Sequence, residues 1–238
     1  VWKRQLIENS PSLQAFAEML RVTWDPSPAR SVEVDPGTWP PGEDGLSPTL
    51  DRLLTLSPNI AFVRPAVIRD GREMALFPTK LRPVAIDQLN HIAWQTERRA
   101  GVPVFIDLPA AWLDEPELVA DLARQVNFAG LRVRAAPDSA AAERIRQAAG
   151  RWVWPLQMAY AVDQPPTPAQ WAHLRDGDLL VLPASEENIA AVPREMAGRV
   201  LFEFDPALPP ASIARRMNRL EADGFRQFGV AGFPESLM

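Results

Sequence analysis

The 238-residue sequence has no cysteine, only two histidines and one tyrosine, and no apolar run long enough to span a membrane. Without cysteine it has no disulfides, no thiolate metal ligands and no cysteine nucleophile. Neither His91 nor His173 is followed by a second histidine at i+4, so the sequence predicts no metal site. No cofactor is predicted either. It also lacks a Gly-x-Ser-x-Gly elbow and a phosphate-binding loop, which excludes the common serine-hydrolase and nucleotide-binding classes.

The remaining composition is typical of a globular domain, because 47% of the residues are hydrophobic and 23% are charged. The net charge of −5 argues against a nucleic-acid partner, since a phosphate backbone selects a clustered basic surface. An acidic balance would suit a cationic polymer, and simple solubility explains it equally well.

From residue 31 onwards, short apolar strands alternate with helices, whereas residues 1–30 predict a lead-in helix and a linker. Eight strands with seven intervening helices predict a (β/α)₈ TIM-type barrel, complete or abbreviated, over residues 31–238. A doubly wound sheet has the same alternation, but no glycine-rich fingerprint follows the first strand. The predicted strands are 32–34, 59–63, 102–107, 130–134, 152–157, 178–182, 200–204 and 227–230. The predicted helices are 48–56, 84–100, 116–125, 139–149, 168–175, 187–196 and 210–222.

Residues 77–109 carry the most specific pattern in the chain. Pro83 excludes a helix before Val84, and apolar residues then recur at helical spacing. Gly101 is the expected residue just past the helix end, and a short apolar strand follows it. The segment therefore predicts a loop, a helix and a strand in that order.

The same segment resembles, without a gap, part of a known bacterial domain. This is the C-terminal glycoside-hydrolase-type barrel of the poly-β-1,6-N-acetyl-D-glucosamine N-deacetylase (PgaB) family, which exports biofilm polysaccharide. Weaker similarity covers residues 31–35, 121–131 and the stretch from residue 200 onwards. The matching positions of the main segment are Phe77–Pro78, Asp87, Asn90, Ala93–Gln95, Arg99–Val102 and Pro109.

The resemblance implies a barrel that binds or processes poly-N-acetylglucosamine or its partly deacetylated glucosamine oligomers. It also implies a bacterial protein of the periplasm or outer membrane, with other exopolysaccharide export proteins as candidate partners. Because the chain begins with Val1, it is expected to be a processed form or an excised domain.

The family's acids are largely replaced in this sequence. In the relatives the fourth strand ends in a Phe-His-Asp-Asp-Ala motif, and here Ala135 and Ala136 stand at the two aspartate positions. Glycosidases need two carboxyl groups that flank the scissile bond, so the replacement predicts a barrel that binds the polymer without cleaving it. Lys80 replaces a loop arginine, Gly37 a second aspartate on the first strand, and Pro234–Glu235–Ser236 a closing Pro-Asp-Asp motif.

Three carboxyl groups at predicted strand ends stay as candidate catalytic residues: Asp35, Asp107 and Glu203. Asp107 is either a relocated acid or a loop-capping aspartate. Glu203 lies between Phe202 and Phe204, so the period of two places it on the opposite face from both. There it is either a buried acid with a perturbed pKa or a salt-bridged structural residue.

The candidate substrate-binding residues are these three acids with Lys80 and Trp112. Trp112 follows the third predicted barrel strand, where an exposed ring would stack on a sugar. Two rival functions stay open beside polymer binding. One is an active glycoside hydrolase that uses Asp107 with Glu203 or Asp35, and the other is a protein-interaction scaffold in the export machinery.

Overall fold

The computed structural model describes residues 30–39, 45–56, 58–205 and 207–230. The predicted lead-in helix and the Pro234–Ser236 motif lie outside this range. The described strands are β1 Arg30–Val34, β2 Ile60–Val63, β3 Ala66–Arg69, β4 Arg72–Ala75, β5 Val104–Asp107, β6 Gly130–Val133, β7 Gln157–Ala161, β8 Leu179–Pro183, β9 Val200–Phe204 and β10 Phe228–Val230. The helices are α1 Leu46–Leu56, α2 Leu89–Ala100, α3 Pro116–Gln125, α4 Ala140–Ala149, α5 Pro168–Trp171, α6 Glu186–Ala191 and α7 Pro210–Ala222.

Eight of these strands are parallel and close into a barrel in the order β1, β2, β5, β6, β7, β8, β9, β10 and back to β1. The predicted (β/α)₈ barrel is therefore confirmed. Each predicted barrel strand has a counterpart, although β7 is displaced along the sequence.

The barrel strands bury both faces, as parallel strands do. Residues that point outward pack against the helices, and residues that point inward form a separate apolar cluster around Phe62 and Phe105. The two rings meet edge to face with centroids 5.9 Å apart. Gly130 leaves room for Phe105, because a Cβ at that position would lie 2.3 Å from the phenyl ring. Asp107 lies two residues after Phe105 and so points to the same face.

The predicted strand 152–157 is wrong. Trp152 and Val153 form a turn after α4, with both backbone N–H groups donating to Ala149 O. β7 begins only at Gln157, beyond Pro155, and pairs with β6 and β8. Tryptophan and valine favour strands in general, but here the turn that ends the helix determines their conformation.

The hairpin of β3 and β4 was not predicted from the sequence. Asp70 and Gly71 join its strands with φ values of 51° and 71°, the two positive angles that a type I′ turn requires. The Asp-Gly pair is therefore a pattern from which this hairpin could have been predicted. Val84 forms an isolated bridge with Ala75 of β4, and for this reason α2 begins at Leu89 rather than at the predicted residue 84.

Several helix ends follow from local chemistry. Gly101 has a φ of 68° and its N–H donates to Glu97 O, so the predicted end of α2 is confirmed. Thr167 and Gln170 form a capping box at the start of α5, which ends at Trp171 and is shorter than the predicted 168–175. The predicted helix 187–196 is divided at Pro193 into α6 and a 3₁₀ helix, Arg194–Arg199.

Candidate functional site at the carboxyl end of the barrel

A cavity of about 380 Å³ opens at the carboxyl ends of β6 to β9. This is the end of the barrel at which enzymes of this fold carry their active sites. No aromatic side chain is present among the described residues that line the cavity. They are Arg132, Arg134, Ala135, Ala161, Val162, Asp163, Val181, Pro183 and Glu203.

Arg132 is the central charged residue of the barrel interior and is only 4% exposed. It lies two residues after the inward-pointing Gly130, so its side chain also points inward. Its Nη1 is 2.6 Å from Glu33 Oε1 and 3.0 Å from Glu203 Oε1, and its Nε is 3.5 Å from Asp107 Oδ1. The guanidinium also lies 4.7 Å from the centroid of the Phe62 ring. One arginine thus binds three carboxyl groups from three strands.

The buried surroundings and the neighbouring charges shift the pKa values of Arg132 and Glu203. Burial by itself lowers the pKa of Arg132, but the charges of Glu203, Asp107 and Glu33 together raise it above its ordinary value. Burial raises the pKa of Glu203 to about 7, although the neighbouring Arg132 lowers it. Glu203 is therefore both a buried acid with a perturbed pKa and a salt-bridged residue, so each of the two predicted alternatives describes part of its environment.

Asp107 is the last residue of β5 and is 2% exposed. Both of its carboxylate oxygens accept hydrogen bonds from Arg134, at 3.1 and 3.2 Å, and Arg64 Nε lies 4.0 Å away. Asp107 is thus neither a loop cap nor an acid open to the cavity. Both of its carboxylate oxygens are instead occupied by hydrogen bonds from an arginine.

Asp35 follows β1 and caps the 3₁₀ helix Pro36–Thr38, because its Oδ1 accepts a hydrogen bond from Gly37 N at 2.8 Å. Its Oδ2 accepts a second hydrogen bond from Arg64 Nη1 at 2.9 Å. Asp35 is consequently linked to Asp107 through Arg64, but it does not line the cavity. The structure therefore brings the three predicted acids together through arginines.

The expected exposure of Trp112 is wrong, because the side chain is 0% exposed. Its indole N–H donates to Glu73 Oε1 at 2.7 Å, and its ring packs edge to face against Phe77. A buried ring cannot stack on a sugar. The hairpin strand β4, which carries Glu73, supplies the partner that the sequence analysis did not anticipate.

Lys80 also lies away from the cavity. It lines a larger outer groove of about 890 Å³ between the segment that follows β4 and the outer face of α3. Trp152 and Arg124 lie in the same groove, with the guanidinium 6.0 Å from the indole ring. Lys80 therefore does not belong to the same site as the three acids.

Four residues of the site were not predicted from the sequence: Glu33, Arg132, Arg134 and Asp163. Alternation along β1 and β6 was a signal for Glu33 and Arg132, because both lie at inward positions. Ala135 lines the cavity with a methyl group. Within the described ranges, no cluster of three His, Cys, Asp or Glu side chains has the arrangement of a metal site, and no helix is long and apolar enough to cross a membrane.

No protein-family model matches this chain. In an alignment 124 positions long that covers 48% of the chain, it is 25% identical to the poly-beta-1,6-N-acetyl-D-glucosamine N-deacetylases of Escherichia coli strains K12 and O157:H7. The match spans only 18% of the length of these curated relatives.

Solved structures extend the similarity over most of the barrel. The PgaB (BpsB) glycoside hydrolase domain from Bordetella bronchiseptica superposes with a TM-score of 0.68 at 17% identity, covering 85% of this chain and 93% of that one. A family 5 glycoside hydrolase from Bacteroides vulgatus gives a TM-score of 0.56 at 9% identity, covering 86% and 57%. At such identities the superpositions show the fold alone. The sequence match and the fold together confirm the predicted resemblance to the barrel domain of the poly-N-acetylglucosamine deacetylases.

Proposed function

We propose that this barrel binds a β-1,6-linked N-acetylglucosamine polymer, in its partly deacetylated form, and does not cleave it. The observation that carries the proposal is the cavity at the carboxyl end of the barrel, whose interior acids are held by the Arg132 guanidinium. The relatives named above supply the polymer chemistry, since their name specifies poly-β-1,6-N-acetyl-D-glucosamine.

The cavity supports binding by its size and its polarity. Its volume of about 380 Å³ lies within the range of roughly 300–1,000 Å³ of small-molecule sites. Arg134 and Asp163 supply hydrogen-bond donors and acceptors, while Ala135, Ala161 and Val181 supply an apolar wall. Sugars need both, because they present hydroxyl groups at the ring edge and C–H groups on the ring faces.

The absence of cleavage rests on how the acids are engaged. Hydrolysis requires one carboxyl group on each side of the scissile bond, with room for the bond between them. Asp107 is buried and accepts two hydrogen bonds from Arg134, and the Arg132 guanidinium contacts both Asp107 and Glu203. The space that such a pair would need is thus occupied by an arginine. At the positions of the family's aspartates, the methyl groups of Ala135 and Ala136 supply no proton.

The proposal locates the protein in the periplasm or at the outer membrane, where an exported polysaccharide would be met. Fractionation of the producing cell tests this location directly. Protein partners of the export machinery are a further part of the proposal, and co-purification with a cross-linker tests them separately.

The binding proposal is tested by calorimetric titration with β-1,6-linked glucosamine oligomers of defined acetylation, and β-1,4-linked oligomers serve as the control for linkage. We expect saturable binding of the β-1,6 series and no shorter products on prolonged incubation. The absence of binding at millimolar concentrations of every β-1,6 oligomer would overturn the proposal and favour the interaction scaffold.

A second candidate function is glycoside hydrolysis with Glu203 as the general acid. The observation in its favour is the pKa of about 7, which suits proton donation near neutral pH, in a side chain that lines the cavity. Release of shorter oligomers by the wild type, lost in Glu203→Gln, would establish this function and refute the non-cleaving proposal.

A further inference from the structure

Asp163 differs from the other acids around the cavity. It follows β7 in the loop to α5, is exposed and lines the cavity directly. Among the described residues no ion-pair partner lies within 4 Å of its carboxyl group, whereas Glu203 and Asp107 are both bound by arginines. Asp163 is thus the cavity-lining acid that is left for a ligand.

The backbone at Asp163 is fixed by a buried neighbour. The side-chain amide of Asn188, a residue of α6 that is almost fully buried, donates hydrogen bonds to Asp163 O and Pro183 O, both at 3.0 Å. Val162 N donates to Val181 O at 3.1 Å in the same region. These bonds tie the ends of β7 and β8 together on one wall of the cavity. Little backbone freedom is therefore lost when the Asp163 carboxyl group binds a ligand.

The charged residues that line the cavity are two arginines, Arg132 and Arg134, and two acids, Asp163 and Glu203. Both arginines contact acids of the barrel interior, since Arg132 lies within 4 Å of Asp107 and Glu203 and Arg134 within 4 Å of Asp107. A ligand that brings a positive charge to Asp163 therefore supplies the ion-pair partner that these arginines do not supply.

We propose that Asp163 determines specificity by accepting a charge-assisted hydrogen bond from the ammonium group of a deacetylated glucosamine unit. An ammonium group offers three donors and a full positive charge, while an acetamido group offers one neutral donor. The inference rests on the proposed binding function. Ala135 after β6 and Asp163 after β7 line the same cavity.

The test compares the affinities of the wild type and of Asp163→Asn for a fully deacetylated and a fully acetylated β-1,6 oligomer of equal length. We expect the variant to lose about three- to tenfold in affinity for the deacetylated oligomer, the effect of one partly exposed ion pair, and less than twofold for the acetylated one. Added salt should reduce the ratio of the wild-type affinities for the deacetylated and the acetylated oligomer, because salt screens the attraction between the solvent-exposed Asp163 carboxylate and the ammonium group.

Asp176→Asn is the matched control, since Asp176 is an exposed aspartate before β8, at the opposite end of the barrel strands, and does not line the cavity. It removes the same charge and should change neither affinity. Asp163→Glu retains the charge on a longer side chain, and we expect it to keep part of the preference. Circular dichroism and a denaturation midpoint check that each variant is folded.

The possible results separate the inference from the proposed function. Equal losses for both oligomers in Asp163→Asn, no loss at all, or tighter wild-type binding of the acetylated oligomer would each overturn the role of Asp163 while polymer binding stands. If neither oligomer binds the wild type, the proposed function fails and the inference fails with it.

Discussion

Glu203 offers the sharpest test of the electrostatics in the barrel interior. Its side chain is 11% exposed, and burial raises its pKa from the ordinary 4.5 to about 7 despite the adjacent Arg132. Replacement by glutamine keeps the size and the hydrogen-bonding oxygen but removes ionisation. The comparison of Glu203→Gln with the wild type across pH therefore isolates the cost of burying one negative charge.

The sign follows from proton binding. Between pH 4.5 and about 7 the folded protein keeps a proton on Glu203 that the unfolded chain has released. The stability linked to this proton is fully present below pH 4.5 and is lost as the pH rises through 7. Each pKa unit is worth about 1.4 kcal/mol, so the rise from 4.5 to about 7 corresponds to about 3 kcal/mol in the free energy of unfolding.

Urea unfolding of both proteins at a series of pH values from 4.5 to 8.5 measures this difference. We expect Glu203→Gln to gain stability relative to the wild type as the pH rises, by up to about 3 kcal/mol, because the wild type alone acquires the buried charge. Ionisable groups that do not interact with Glu203 contribute equally to both proteins and cancel. A difference that stays constant across this pH range would refute the reasoning, and a carboxyl carbon titration of Glu203 by NMR would locate the error.

Three further substitutions test the packing and the pairing. Arg132→Met leaves three interior carboxyl groups without their shared cation and should lower the free energy of unfolding in urea by about 3–5 kcal/mol. Arg132→Lys retains a positive charge and should recover part of this loss. If Arg132→Met were as stable as the wild type, the central role of the arginine would be contradicted. Gly130→Ala places a methyl group against the Phe105 ring and the backbone O of Gln157 and should lower stability by about 1–3 kcal/mol, and an unchanged denaturation midpoint would contradict this close packing. Trp112→Phe loses the hydrogen bond to Glu73 and should lower stability by about 1–3 kcal/mol without changing the affinity for sugar oligomers. A clear loss of that affinity would indicate that Trp112 contacts the sugar after all.

The barrel was predictable because its signals are local and repeat along the chain. Each barrel strand is a short apolar run between turn residues, and most predicted strands overlap the observed ones closely, as β9 does at residues 200–204. The same holds for α3, whose predicted range 116–125 is the observed one. The proline at its first position and the apolar spacing that follows determine it without reference to the rest of the fold.

The errors arose where tertiary contacts outweigh local preference. Trp152 and Val153 have strand-forming side chains, yet they complete the turn that ends α4. Val84 fits the periodicity of α2, but its pairing with Ala75 of the hairpin holds it in extended backbone. Trp112 is buried because the same hairpin places Glu73 within reach of its indole N–H.

The candidate site was predictable only as a set of inward-facing positions. Alternation places Glu33, Asp107, Arg132 and Glu203 on the inner face of their strands, but the pairing among them depends on the register between strands. That register aligns Asp107 with Arg132 across β5 and β6. Because one-dimensional patterns do not encode such neighbours, the sequence indicated Asp35, Asp107 and Glu203 but not the arginines that bind them.

The ion pairs inside the barrel give a physical reason why an acid that binds a ligand should lie at the edge of the cavity rather than inside the barrel. Three carboxyl groups in a buried space would be costly without a cation, and Arg132 offsets that cost by occupying the space between them. Once a protein side chain fills this position, a ligand can meet an unpaired acid only further out, where solvent still reaches. Asp163 lies there, on backbone that Asn188 fixes. In a barrel with this interior, we therefore expect ligand charge to be recognised at the strand ends rather than at the centre.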